Sequence, residues 1–281
     1  MQERERQVKK MQEKKIQKEE MKEYNISEEM LEVIKIIVRQ AGKIMLEAHH
    51  IEDGVTSKQG SANFVTEYDV RVQNFLFKEL KKKYPDAAFV GEEDEKREIY
   101  EADYCFVIDP IDGTTNFIFD YRHSSISVGV LYKGEIDMGV VYNPYLDEIF
   151  YGEKGKGAFL NDRKLKINDL SLSEGIVGFG TCPYYRENAE ESFQLIRKLY
   201  DHCLDVRRSG SAALDICYVA AGRFVLFFEK ILSPWDYAAA SLILMEAGGC
   251  IGTFAKEQIS YSAPISVVAA TPAAYEEFYR I

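Results

Sequence analysis

The sequence predicts a two-part fold, an α+β half followed by an α/β half, and three observations predict it. A helical pattern of apolar residues opens at Ser27, short β-branched and aromatic runs fill the middle, and strand and helix patterns alternate beyond about Gly157. With 281 residues, 46% of them hydrophobic, the chain can bury the core of one large domain or two ordinary ones. The expected division is a charged N-terminal extension over 1–26, an α+β half over 27–160 and an α/β half over 161–281.

Residues 1–24 hold eight Lys/Arg and six Asp/Glu with no Gly or Pro, the composition of a solvated helix. They carry no apolar stretch of the kind that opens a secretory signal. From Ser27, Met30, Val33, Ile34, Ile37, Val38, Ala41 and Met45 recur at helical spacing. A second helix is expected from about Asp69 to Lys83, where Val72, Phe75, Leu76 and Leu80 share a face. Tyr104 to Ile108, Ser125 to Tyr132, Asp137 to Tyr142 and Glu148 to Tyr151 read as strands of an antiparallel meander, joined by KG and NP turns. Then follow a strand at Ile176 to Gly180, a helix at Ala189 to Tyr200, a strand at Asp205 to Arg207 and a helix at Ala212 to Ala221. A strand at Phe224 to Glu229 and a helix at Tyr237 to Glu246 complete the series. Ala238 to Ala255 has membrane-like length, but Glu246 and the Gly248-Gly249 pair make it a buried helix running into a strand.

A formal charge of -11 argues against a broad basic face for nucleic acid and suits carboxylate clusters that hold cations. The five cysteines form no CxxC pair and read as reduced thiols of a cytoplasmic protein.

The chemistry concentrates in CFVIDPIDGTTNF, Cys105 to Phe117. An apolar strand ends in Asp109, and a tight turn brings Asp112 beside it; two carboxylates there are costly unless cations neutralise them. Gly113 permits an unusual backbone angle, and Thr114, Thr115 and Asn116 look like a helix start whose free N–H groups could hold a phosphate. The plainer reading is an Asx turn before a capped helix. Haloacid dehalogenase-like phosphatases use DxDGT, with an aspartyl nucleophile; here Pro110 and Ile111 separate the carboxylates. That spacing favours a turn-built metal clamp with water as the nucleophile.

GEE (Gly91 to Glu93), DPIDGTTNF (Asp109 to Phe117) and SPWDYAAASLILMEAGG (Ser233 to Gly249) together resemble the three signature blocks of the inositol monophosphatase family, over about residues 27–281. The resemblance implies a layered αβαβα sandwich and a Mg²⁺-dependent, lithium-sensitive phosphatase of small sugar or polyol phosphates, usually a homodimer. By position it implies Glu92, Asp109 and the Ile111 carbonyl as ligands of a first Mg²⁺, Asp109, Asp112 and Asp236 as ligands of a second, and a weaker third ion on Glu92. Thr114 and Glu92 would orient the attacking water, with Asp69 and Lys58 in support on a mobile loop. Gly113 and Thr114 N–H groups would receive phosphate oxygens. Asp112, Glu229 and the Gly210-Ser211-Ala212 backbone would hold substrate hydroxyls. Read without the resemblance, Lys58 and Asp69 are ordinary surface charges and Glu229 is a strand-end acid.

Asn116-Phe117 resembles the inositol monophosphatase form more than the 3′-phosphoadenosine 5′-phosphate or histidinol-phosphate phosphatase forms. The tail after Gly249 is shorter than the usual form. Fructose-1,6-bisphosphatase or 3′-phosphoadenosine 5′-phosphate phosphatase activity, and a catalytically weak relative that binds a phosphate or the RNA machinery, are the alternatives. No membrane partner is expected.

Overall fold

A computed structural model describes residues 29–48, 55–57, 64–94 and 102–281; Lys58, the extension over 1–24 and Ser27 lie outside them. Helix α1 covers 29–46, strands β1 (Thr56–Ser57) and β2 (Phe64–Val65) form a small antiparallel pair, and α2 spans Glu67–Lys83. A seven-stranded sheet follows in the order β3 (Ala88–Gly91), β4 (Tyr104–Asp112), β5 (Ser125–Tyr132), β6 (Glu135–Asn143), β7 (Glu148–Glu153), β8 (Gly157–Leu160), β9 (Arg163–Lys164). From β4 onward it is the expected antiparallel meander; β3 adds one parallel edge. Between β4 and β5 lies the short helix α3 (Thr114–Ile118).

The rest builds a five-stranded sheet ordered β11 (Asp205–Arg207), β10 (Ile176–Phe179), β12 (Leu226–Leu232), β14 (Ile265–Ala270), β13 (Cys250–Gly252). Its first three strands are parallel, and β14 runs antiparallel to both neighbours. Its helices are α4 (Ala189–Tyr200), α5 (Ala212–Ala220), α6 (Pro234–Glu246) and α7 (Pro272–Phe278).

Side-chain alternation along the strands sorts these elements into αβαβα layers. In β4, Phe106 and Ile108 point toward α1 and α2, packing with Met30, Ile34, Val38 and Leu76, while Cys105 and Val107 meet Trp235, Ala238 and Leu242 of α6. Both faces are covered, so the strand is apolar without alternation. The other side of α6 packs with α5 and the inner face of the second sheet through Tyr237, Ala240, Ile243, Phe227 and Ala269. The membrane-like composition of α6 thus reflects burial between two sheets. Phe179, Leu226, Phe228 and Val268 face outward against Ile196, Leu199 and Phe278 of α4 and α7.

Close approach of α6 to the first sheet depends on glycine. A Cβ on Gly139 would lie 2.3 Å from the Ala239 carbonyl oxygen, and one on Gly129 3.1 Å from the Ala238 Cβ. Backbone against backbone cannot relax cheaply, so the helix seats only where the strands carry no side chain.

Three expectations need correction. The turn expected at Pro110 is a register shift inside β4, which stays paired with β5 through Asp112↔Ser125. A bulge re-aims side chains without ending the strand. Strand β12 begins two residues later than expected and continues to Leu232, so Glu229 sits within the strand, at the start of a second register shift. Helix α6 begins at Pro234, because proline suits the first helical position and Ser233 precedes it as the cap. Strands β3, β14 and helix α7 are additions to the sequence reading.

Candidate active site

The two register shifts and the N-termini of α5 and α6 meet at one cleft of about 510 Å³. Glu92, Asp109, Ile111, Asp112, Gly113, Thr114, Gly210, Ser211, Ala212, Glu229 and Asp236 all line it. Asp69 stands behind this surface and joins it through Thr114; Lys58 lies outside the described residues.

The bulge in β4 turns both carboxylates toward the cleft. The Ile111 N–H donates to Asp109 Oδ1 at 3.0 Å, a contact that needs the extra residue Pro110 between them. Asp112 is gripped by the start of α5: the Ala213 and Ala212 N–H groups donate to its oxygens at 2.9 and 3.2 Å, and the Ser211 hydroxyl donates as well. A helix N-terminus favours an anion, and here that anion is the protein's own carboxylate. The Ala212 N–H expected to serve a ligand is therefore directed at Asp112. Gly113 adopts φ +87°, and a Cβ there would crowd the carbonyl oxygens of Gly210 and His123 at 3.0 and 3.1 Å. Only glycine turns the chain from β4 into α3 at this point.

Asp69 caps its own helix. Its Oδ2 accepts from the Thr66 N–H at 2.7 Å and the Thr66 hydroxyl at 2.5 Å, and its Oδ1 lies 3.2 Å from Thr114 Oγ1. The same Thr114 oxygen is 3.1 Å from the Ile111 carbonyl, so one hydroxyl links α2 to the bulge. Asp236 accepts from the Ser233 N–H at 2.7 Å. Glu229 accepts from the Cys182 N–H at 2.8 Å, and a Cβ on Gly180 would strike its carboxylate.

Burial and mutual repulsion dominate the electrostatics. Burial pushes Asp69 up to about 7, Asp112 to about 6 and Glu229 to about 7. Asp109 and Asp236 are pushed well above the carboxylate range, by burial first and by the charge on Glu92 next. Among the described residues no Lys or Arg forms an ion pair with Asp69, Asp109, Asp112, Glu229 or Asp236.

The donor set has the chemistry a hard divalent cation requires: buried and half-buried carboxylates and a backbone carbonyl, without thiolate or imidazole. As the side chains stand, no three Asp, Glu, His or Cys among the described residues enclose an ion. Asp112 and Asp236 are turned onto backbone donors instead, so the fit is one of donor type and placement.

The linkage has a definite sign. A carboxylate whose pKa is raised by folding stabilises the fold while protonated, and that stability is lost as pH rises through the folded value. In chelator-treated protein, the unfolding free energy from urea titration should therefore fall as pH rises from about 5 to about 8, across the values of Asp69, Asp112 and Glu229, by a few kcal/mol in total, and the urea midpoint with it. A midpoint that is flat or rises over this interval contradicts the burial of uncompensated charge.

The family model for the "Inositol monophosphatase family" matches residues 26–281. This chain belongs to the inositol monophosphatase family. Among its relatives, Nus factor SuhB of Escherichia coli (strain K12) is 37% identical over 227 residues, covering 80% of this chain and 85% of that one. Inositol-1-monophosphatase of Rhizobium meliloti (strain 1021) is 38% identical over 222 residues, covering 78% and 84%. The crystal structure of extragenic suppressor protein SuhB from Bartonella henselae superposes with a TM-score of 0.83 at 30% identity, covering 89% of this chain and 97% of that one. The layered sandwich is thus that of inositol monophosphatase relatives.

The cleft also contains residues that lie outside the signature blocks: Arg208, Asp215, Tyr184 and Tyr185. Asp215 is buried on α5, hydrogen-bonded by the Ser209 hydroxyl and 3.9 Å from His123 Nε2. Its place four residues after Ser211 puts it on the same helix face, a spacing that could have flagged it. Nothing in the local pattern marks Tyr184 or Tyr185. Asn116 adds a brace: its amide nitrogen donates to the carbonyl oxygens of His123 and Ser209 at 2.7 and 2.9 Å, tying α3 to the loop before α5.

Proposed function

We propose that this chain is a Mg²⁺-dependent phosphomonoesterase that hydrolyses a small sugar or polyol phosphate, with myo-inositol monophosphate as the reference substrate. The observation that carries this reading is the convergence on one cleft of Asp109 and Asp112, both buried, and the half-buried Asp236, all without Lys or Arg partners among the described residues. Such a cluster is costly in its ionised form unless cations neutralise it.

Glu92, Asp109 and the Ile111 carbonyl would hold a first Mg²⁺, Asp109, Asp112 and Asp236 a second, and Glu92 a weaker third. Bound there, Mg²⁺ supplies Lewis-acid stabilisation of phosphoryl oxygens and lowers the pKa of water. The chain's own residues do the positioning. Thr114 Oγ1 accepts from the attacking water and passes its own hydrogen toward Asp69, whose value of about 7 suits a proton acceptor near neutral pH. Gly113 and Thr114 N–H groups orient the phosphate. Glu229 and the loop at Gly210 and Ser211 face the alcohol part of the ester. Lithium sensitivity and a cytoplasmic homodimer belong to the same reading. Among the described residues no helix is long and apolar enough to cross a membrane.

A second reading is a phosphate-binding protein with little turnover; it is carried alongside because one relative bears the name Nus factor SuhB and not that of a phosphatase. Phosphate release with Mg²⁺ from inositol 1-phosphate separates the two, since the first requires turnover and the second requires none. Glu229→Gln then tests the substrate end. It should raise KM for inositol 1-phosphate by about tenfold, one charge-assisted hydrogen bond, and change hydrolysis of a plain aryl phosphate little. An equal loss on both would place Glu229 in the metal site or the fold.

A further inference from the structure

Among the described residues, the acidic cleft contains one basic side chain. Besides Glu92, Asp109, Asp112, Glu229 and Asp236, its walls include Asp215, and Arg208 is the only Lys or Arg among the described residues that line it. The other arginines near it are engaged elsewhere: Arg207 bonds the Asp205 carboxylate and, at 2.7 Å, the Val206 carbonyl, while Arg223 pairs with Glu148. Arg208 is exposed and makes no hydrogen bond or ion pair with any of the described residues. Its guanidinium lies over the loop before α5, where a Cβ on Gly210 would come within 2.4 Å of Nη1, so the glycine at this position leaves it room. The Arg208 charge favours the ionised forms of Glu229 and Asp215 without reaching either as a partner.

We infer that Arg208 reads a second anionic group on the substrate, so that the cleft selects phosphate esters bearing another negative charge over neutral polyol monophosphates. This rests on the phosphatase reading above. A neutral polyol leaves the guanidinium without a partner. A second phosphate or a carboxylate, held beyond the ester that is cleaved, can take two parallel N–H bonds from it. The scissile phosphate stays with the cation cluster, and Arg208 acts on selectivity alone. Because the side chain is exposed, the effect is that of one solvent-screened, charge-assisted contact.

The test compares fructose 1,6-bisphosphate with inositol 1-phosphate on the full chain with Mg²⁺. Arg208→Gln should raise KM for the bisphosphate about tenfold and that for inositol 1-phosphate about twofold at most, with kcat little changed, and Arg208→Lys should recover part of the loss. Equal rises on both substrates would mean that Arg208 serves only as counter-charge to Glu229 and Asp215, and would overturn the inference; no rise on either would do the same. If the wild-type protein hydrolyses neither ester, the phosphatase reading fails on that result alone. Calorimetric binding of the same two esters then decides on Arg208: selective loss of bisphosphate affinity in Arg208→Gln supports it, and equal or absent loss overturns it.

Discussion

Asp109→Asn and Asp236→Asn are each expected to lower kcat about a thousandfold or more, roughly 4 kcal/mol of barrier, while the protein stays folded. Asparagine keeps the volume of aspartate and one carbonyl oxygen. In Asp109→Asn that oxygen can still accept from the Ile111 N–H, and in Asp236→Asn from the Ser233 N–H. What disappears is a negative charge that the cation needs. The same change should raise the melting temperature of the metal-free protein, because burial and the nearby Glu92 charge penalise both aspartates when ionised. Opposite effects on activity and metal-free stability distinguish loss of cation binding from misfolding. Retention of more than about a tenth of wild-type kcat in either variant would count against a cation-based mechanism.

Thr114→Ala is expected to cost about a hundredfold in kcat with a smaller change in KM, the lower end of what one positioned proton-transfer group contributes. Thr114 Oγ1 stands between Asp69 Oδ1 and the Ile111 carbonyl, and alanine removes the hydroxyl that links them. Thr114→Ser keeps the oxygen on the same backbone and should retain most of the rate. Steady-state kinetics on both variants provide the check. If serine is as damaging as alanine, the methyl group and its packing matter and the proton path through the hydroxyl is wrong.

The parts of this molecule that were readable in the sequence are those whose chemistry is local. The run from Asp109 to Thr114 packs a strand end, two acids, a glycine and a helix start into six residues, and the fold brings all of them to the cleft. Helix α6 announced itself through its apolar length and α4 through its period. The unreadable parts depend on distant partners. Strand β14 starts just after Pro264, and its place in the sheet comes from pairing with β12, more than thirty residues earlier. The four residues of β3 gain their meaning from parallel pairing with β4. Arg207 and Arg208 are adjacent and chemically alike; only the structure shows one held by Asp205 and the other lying on the cleft wall. Glu229 was readable as an acid but not as a mid-strand residue, because the extension of β12 to Leu232 rests on the register shift against β14.

The central claim is that this acidic cleft is a cation site, and a calorimetric Mg²⁺ titration near pH 6.5, repeated in buffers of different ionisation enthalpy, tests it most directly. Carboxylates raised to about 6 and about 7 are partly protonated there, so binding of a cation must expel protons. Saturable binding with proton release is expected in the wild-type protein, and loss of both in Asp109→Asn. Absence of binding, or binding that Asp109→Asn leaves intact, would contradict it.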